Sequence, residues 1–201
     1  MPLILPKVGT YELEEKRSIF KGYCAPVNNE PEAKAVIAQI RAENPKAGHN
    51  CFAYATIDDA ITRASDDGEP SGTAGLPILT LFQKQEVVNF VCVVTRYWGG
   101  TLLGTGGLVR AYSHCAKGAL DNAGPAPQIT TKLYKVTCAY NRFDQVKYNF
   151  EKQGLPILNV EYTTHCDLTV EVTEFQEAVF LQGEIYDVQL LATSKHGVKG
   201  W

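Results

Sequence analysis

The segment that most restricts what this chain can fold into covers residues 87–123. Residues 87–95 form a near-continuous apolar run, the pattern of a strand covered on both faces. Five glycines follow between Gly99 and Gly107. Residues 108–123 then set Leu108, Tyr112, Cys115, Ala119 and Leu120 along one side of a helix. A buried strand, an open turn and a helix in succession leave a helix N-terminus at a strand end. Backbone N–H donors and the positive end of the helix dipole there favour an anion.

The turn reads Arg96-Tyr97-Trp98-Gly99-Gly100-Thr101-Leu102-Leu103-Gly104-Thr105-Gly106-Gly107-Leu108-Val109-Arg110. Gly99 and Gly104 have P-loop spacing, but Thr105-Gly106 stands where Lys-Ser/Thr would reach a terminal phosphate. Gly104-x-Gly106 opens a dinucleotide fingerprint, and Val109 stands where its last glycine or alanine belongs. Neither nucleotide motif survives. What remains is a cradle for an isolated phosphate or acidic group. Gly99, Gly100, Gly104, Thr105, Gly106 and Gly107 would supply N–H donors, Arg96 and Arg110 would flank it, and Tyr97 or Trp98 would stack on a base. The same glycines would equally serve close packing of helix and sheet backbones.

A second polar segment reads Ser65-Asp66-Asp67-Gly68-Glu69-Pro70-Ser71-Gly72-Thr73-Ala74-Gly75. Its glycines and proline exclude a helix or a central strand. Asp66, Asp67 and Glu69 are of the type that holds Mg²⁺ or handles protons, though without the alternating spacing of a calcium loop. Alternatively they cap turns and receive backbone N–H groups. His49-Asn50-Cys51 and His165-Cys166 match neither HExxH nor paired CxxC spacing and read as structural.

Elsewhere, residues 31–44 place Ala33, Val36, Ile37 and Ile40 at helical spacing ahead of Pro45. Residues 51–57 and 77–82 read as strands, and Lys16, Arg17, Ser18 and Lys21 as a small basic stretch within another. Residues 122–127 (Asn-Ala-Gly-Pro-Ala-Pro) read as a linker. Beyond it the pattern is strand 132–140, helix 142–153, strand 157–163, strand 166–173, helix 175–186 and strand 188–194, with Asn141 placed as a helix cap. That βαββαβ order is the ferredoxin-like arrangement.

Lys and Arg number 19 against 22 Asp and Glu, a net charge of −3, so any nucleic-acid contact rests on a local patch rather than a basic surplus. Six scattered cysteines without a CxxC fit reduced thiols and a cytoplasmic location. No stretch approaches the ~20 apolar residues of a membrane span.

The two glycine-rich segments, at residues 65–75 and 96–112, resemble the paired signatures of the IMPACT family in its bacterial, YigZ-type form, S-D-D-G-E-P-x-G-T-A-G and R-Y-[YW]-G-G-x-x-L-G-x-G-G-L-[VI]-[RK]-A-Y. The family's H-x-C stands at His49–Cys51, and its K-K-S-R-F appears as Lys16-Arg17-Ser18-Ile19-Phe20, with Ile19 in place of Arg. The resemblance implies an α+β chain of two domains. Residues 1–127 would form a β-α-β layer fold like the fourth domain of elongation factor G, and residues 128–201 a ferredoxin-like domain like its fifth.

The resemblance also implies a non-enzymatic role without a cofactor, in translational control tied to stress responses, with RNA, the ribosome or a translation-associated protein as partner and no membrane. The anion- or RNA-binding residues would be those of the 96–110 turn. Ser65, Asp66, Asp67, Gly68, Glu69, Pro70, Gly72 and Thr73 would form the facing motif loop. The alternative is a metal-assisted hydrolase or phosphoryl-transfer enzyme built on Asp66, Asp67 and Glu69.

Overall fold

The computed structural model describes residues 2–57, 60–182 and 186–197. The chain divides into two compact units, one reaching to Gln128 and the other containing Ile129–His196. The first unit begins with a short strand, β1 (Leu3–Ile4), bridged to Val87 through Leu3. Its main sheet uses β2 (Gly9–Glu15), β3 (Ser18–Pro26), β4 (His49–Thr56), β5 (Ile61–Ser65) and β6 (Phe90–Tyr97), in the spatial order β2-β3-β6-β4-β5. All four pairings are antiparallel.

The central strand β6 is buried along nearly its whole length because both sheet faces carry helices. Phe90, Cys92 and Val94 point into one core with residues of α2 (Gly75–Lys84) and α3 (Thr105–Ala123). Val91 and Val93 point the other way, toward Ala33, Ile37 and Ile40 of α1 (Glu30–Glu43). The continuous apolar run thus reports a sheet sandwiched between helices. Asn29 caps α1 by accepting from the Glu32 N–H at 3.0 Å.

Glycine sets how closely α3 approaches the sheet. A Cβ on Gly118 would lie 2.3 Å from the Tyr11 ring, and one on Gly22 would lie 2.8 Å from the Cys115 carbonyl oxygen. No side chain larger than hydrogen fits at either point unless helix and sheet part.

Three local expectations change. Residues 77–82, expected as a strand, lie inside α2. Their β-favouring side chains are overruled by burial of Ile78, Leu79 and Phe82 against the sheet, and by Asp66, which takes the N–H groups at the helix start. Helix α3 starts at Thr105 rather than residue 108, so Gly106 and Gly107 belong to its first turn. The expected linker shrinks to Gly124 and Pro125, between the end of α3 and the next strand; Gly124 is the left-handed C-cap, with φ 66°.

The second unit uses β7 (Ala126–Cys138), α4 (Phe143–Lys152), β8 (Ile157–Tyr162), β9 (Cys166–Thr173), α5 (Glu177–Phe180) and β10 (Asp187–Gly197). The spatial order β10-β7-β9-β8 is the ferredoxin-like split βαβ. Val136, Val146, Phe150, Leu168, Val170, Val172 and Phe180 form its core.

Asn141 does not cap α4. It sits in a 3₁₀ turn at Tyr140–Arg142, and α4 has no side-chain cap. The helix expected over residues 175–186 is a single turn; residues 183–185 lie outside the described residues. Glu177 at its start accepts from Lys132 and Tyr134 of β7.

Candidate functional site

The acidic loop leaves β5 at Ser65, and its three carboxylates go to three different places. Asp66 turns inward and accepts the N–H groups of Gly72 at 2.8 Å, Ala74 at 2.9 Å and Gly75 at 2.8 Å. Partial burial would raise its carboxyl, but these three backbone donors outweigh that and hold it below the usual carboxylate range. Asp67, with φ 43°, accepts from Arg41 at 2.6 Å and from the Asn50 N–H at 2.7 Å.

Glu69, its side chain 3% exposed, accepts through one oxygen from both Arg96 Nη1 and the Tyr112 hydroxyl, each at 2.7 Å. This separation corrects the reading in which Asp66, Asp67 and Glu69 share a metal. Among the described residues, no cluster of His, Cys, Asp and Glu is placed to hold a metal ion.

The glycine-rich turn leaves β6 at Tyr97. Arg96 is only 6% exposed. Its guanidinium bonds Glu69, lies 3.3 Å from Ser18 Oγ, and sits over the Phe20 ring at 5.5 Å, while its Nε is buried with no partner. So placed, Arg96 is not a surface phosphate ligand. Tyr97 donates its hydroxyl to Asn44 at 2.7 Å, and Lys21 approaches its ring; it is not a free stacking platform. Trp98 is 64% exposed.

Gly99 lies against the backbone of Arg17, where a Cβ would be 2.0 Å from the Arg17 carbonyl carbon, and its N–H reaches Ser18 Oγ. Gly100 and Gly104 take positive φ, 84° and 72°. Thr105, Gly106 and Gly107 form the first turn of α3, with no side-chain cap.

The acidic and glycine-rich segments therefore meet, with Glu69 as the joint between them. Beside this joint lies a cavity of about 440 Å³, lined by His49, Pro70, Trp98, Leu102, Thr105 and Leu108 among others, with an almost wholly hydrocarbon wall. His49 Nδ1 donates to the Asp67 carbonyl at 2.8 Å. That bond fixes the tautomer and leaves Nε2 3.9 Å from Glu69.

Cys51, the other half of the His-x-Cys pair, bonds the Asp66 carbonyl oxygen at 3.0 Å. Burial, aided by the nearby carboxylates, pushes its thiol up to about 12, which removes it as a nucleophile. Burial likewise raises the Tyr112 hydroxyl, with Cys51 and Glu69 adding to the effect.

Arg110 lies on the other side of Leu103, away from Arg96. It lines a second cavity, of about 240 Å³, with Lys16, His114 and the carboxylate of Glu15. Lys16 and Arg17 occupy the two-residue turn between Glu15 of β2 and Ser18 of β3, both with positive φ, 48° and 66°. The sequence reading assigned Lys16 to a strand and missed its nearness to Arg110. A two-residue gap between alternating segments is the signal that would have shown a hairpin tip. Tyr112 and Arg41 were also missed: Tyr112 was read as helix core, and nothing in the sequence joins Arg41 to Asp67.

A helix-sheet-helix unit followed by a ferredoxin-like unit, with two glycine-rich loops locked by a buried Arg–Glu–Tyr contact, defines a two-unit α+β protein with its motif residues gathered in the first unit. The Impact N-terminal domain matches residues 16–120. An IMPACT family member of Haemophilus influenzae is 35% identical over 175 residues, covering 85% of each chain. The Escherichia coli member YigZ is 34% identical over 181 residues, covering 88% of this chain and 89% of its own.

A crystal structure of a hypothetical protein superposes with a TM-score of 0.60 at 33% identity, covering 94% of this chain and 96% of that one. The chain belongs to the IMPACT family. No helix among the described residues is long and apolar enough to cross a membrane.

Proposed function

We propose that this protein acts in translational control as a binding protein rather than an enzyme, and that it contacts RNA or the ribosome through the cationic end of its first unit. The observation that carries this reading is that Lys16, at the hairpin tip, and Arg110, near the start of α3, line one cavity, with Arg17 beside Lys16 in the same turn. All three are exposed, and none forms an ion pair among the described residues. His114 extends the same surface.

On an acidic chain, such a local patch suits a footprint of a few phosphates. The turn supports the same view. Positive φ at two bulky residues costs of order 1–3 kcal/mol each, and an Asn-Gly pair would avoid most of that cost. The turn sets two long cations at the tip despite that cost.

The test is a triple variant, Lys16→Ala, Arg17→Ala and Arg110→Ala, measured by RNA anisotropy and ribosome co-sedimentation over a salt series. Loss of about three phosphate contacts lowers the slope of log affinity against log salt by about 2 for a single strand. A triple variant that binds RNA and ribosomes as tightly as the parent overturns the reading. Arg96→Ala is a separate control, because Arg96 holds the fold and touches no surface phosphate.

A further inference from the structure

The cavity at the hairpin tip carries the RNA reading one step further, and on that reading we propose that it receives the terminal phosphate of an RNA strand, a phosphomonoester. Gly107, Arg110, Ala111 and His114 recur at the three- and four-residue spacing that gathers positions on one face of α3. All four line the cavity, together with Glu15 at the end of β2 and Lys16 in the turn. Gly107 brings no side chain into the space, and Leu13, Leu103 and Ala111 supply hydrocarbon wall. The Tyr11 ring packs beside the His114 ring, their centroids 5.9 Å apart.

Three nitrogen-bearing side chains, Lys16, Arg110 and His114, therefore share one small cavity. None of them forms an ion pair among the described residues. The carboxylate on the lining, Glu15, is outnumbered by these donors.

Two properties select a chain end over an internal phosphate. The first is charge. A phosphomonoester carries about −1.5 to −2 at neutral pH, against about −1 for each phosphate within a strand. Clustered donors beside hydrocarbon, where charges are less screened than in water, favour the more highly charged group.

The second property is size. The volume, about 240 Å³, lies below the ~300–1,000 Å³ of pockets that enclose a whole small ligand. The cavity thus takes a head group and leaves the rest of the ligand outside. An internal phosphate carries a sugar on each side and would enter only by folding the strand back on itself; a terminal phosphate enters end-on. Arg17 shares the turn without lining the cavity, a position suited to the next phosphate along.

The test compares internally labelled RNA oligomers of one sequence by fluorescence anisotropy, carrying a 5′-phosphate, a 3′-phosphate, or hydroxyls at both ends. A hydroxyl-ended strand lengthened to equal total charge controls for the added charge. A strand phosphorylated at one of its ends should bind about tenfold more tightly than the charge-matched strand. Arg110→Ala and His114→Ala should each remove that preference. Arg17→Ala should weaken all strands alike and keep it, and Glu15→Gln should enlarge it about threefold.

Equal affinity for phosphorylated and charge-matched strands, or a preference that persists in both Arg110→Ala and His114→Ala, overturns this assignment and leaves the RNA reading standing. A phosphoserine peptide that binds as tightly as the best strand overturns the assignment to RNA. Binding of no strand at all overturns the RNA reading itself. The phosphomonoester assignment then stands or falls by calorimetry with uridine 5′-monophosphate, which must bind where uridine does not.

Discussion

Replacing Glu69 by Ala should be among the most damaging single changes in the first unit. The Glu69 and Arg96 side chains are 3% and 7% exposed and 2.7 Å apart. Removing one member of a buried ion pair leaves the other charged and desolvated, at a cost of about 3–5 kcal/mol. The Tyr112 hydroxyl loses its acceptor as well, adding about 1 kcal/mol. The assay is urea denaturation followed by Trp98 emission in the Trp201→Phe background, which reports on the unit containing the pair. The double variant Glu69→Leu with Arg96→Met removes both charges and keeps much of the volume, so it should return to within about 2 kcal/mol of the parent. With Glu69→Leu and Arg96→Met measured singly to close the cycle, the coupling between the two sites should reach at least about 2 kcal/mol. A Glu69→Ala protein within about 1 kcal/mol of the parent, or strictly additive single and double changes, would refute the claim that this buried charge pair ties the two loops together.

Asp66→Ala removes the acceptor for three N–H groups and should lower stability by about 2–3 kcal/mol in the same urea assay. Because the folded Asp66 carboxyl lies below its ordinary range, its contribution is present in full above the unfolded value of about 3.9 and is lost as pH falls through the folded value; Asp66→Asn should flatten the acid limb of the stability profile below about pH 4. Replacing Lys16-Arg17 by Asn-Gly should relieve most of the positive-φ strain and raise stability by about 2 kcal/mol or more while weakening RNA association. All six cysteines are buried, so a thiol reagent should titrate none in the native protein and all six after denaturation.

Periodicity found most of the elements. The apolar run at residues 87–95, the helix over residues 31–44 and the strand Cys166–Thr173 all appear in the structure, because their burial pattern is written in adjacent residues. Helix α2 was misread because Pro77, Ile78, Leu79, Thr80 and Phe82 favour a strand locally. What makes them helical is Asp66, nine residues before Gly75.

The site was half legible. That the two glycine-rich segments carry the family's signatures could be read from their residues. That Arg96 bonds Glu69 while Arg110 lines a different cavity from Arg96 depends on β3 lying between β2 and β6 in the sheet, which no sequence spacing records. The buried arginine and the exposed one look alike in a list of residues; only the fold separates the one that holds the loops from those that face solvent.

Gly99 resting on the Arg17 backbone, with Ser18 Oγ bonded to both Gly99 and Arg96, makes the basic hairpin and the tryptophan-bearing loop a single mechanical piece. Tags or inserted residues at either spot would therefore disturb the other. The tolerant places for labels lie away from this seam, and a probe on the hairpin would report motion of the cavity rim as faithfully as one attached to the rim itself.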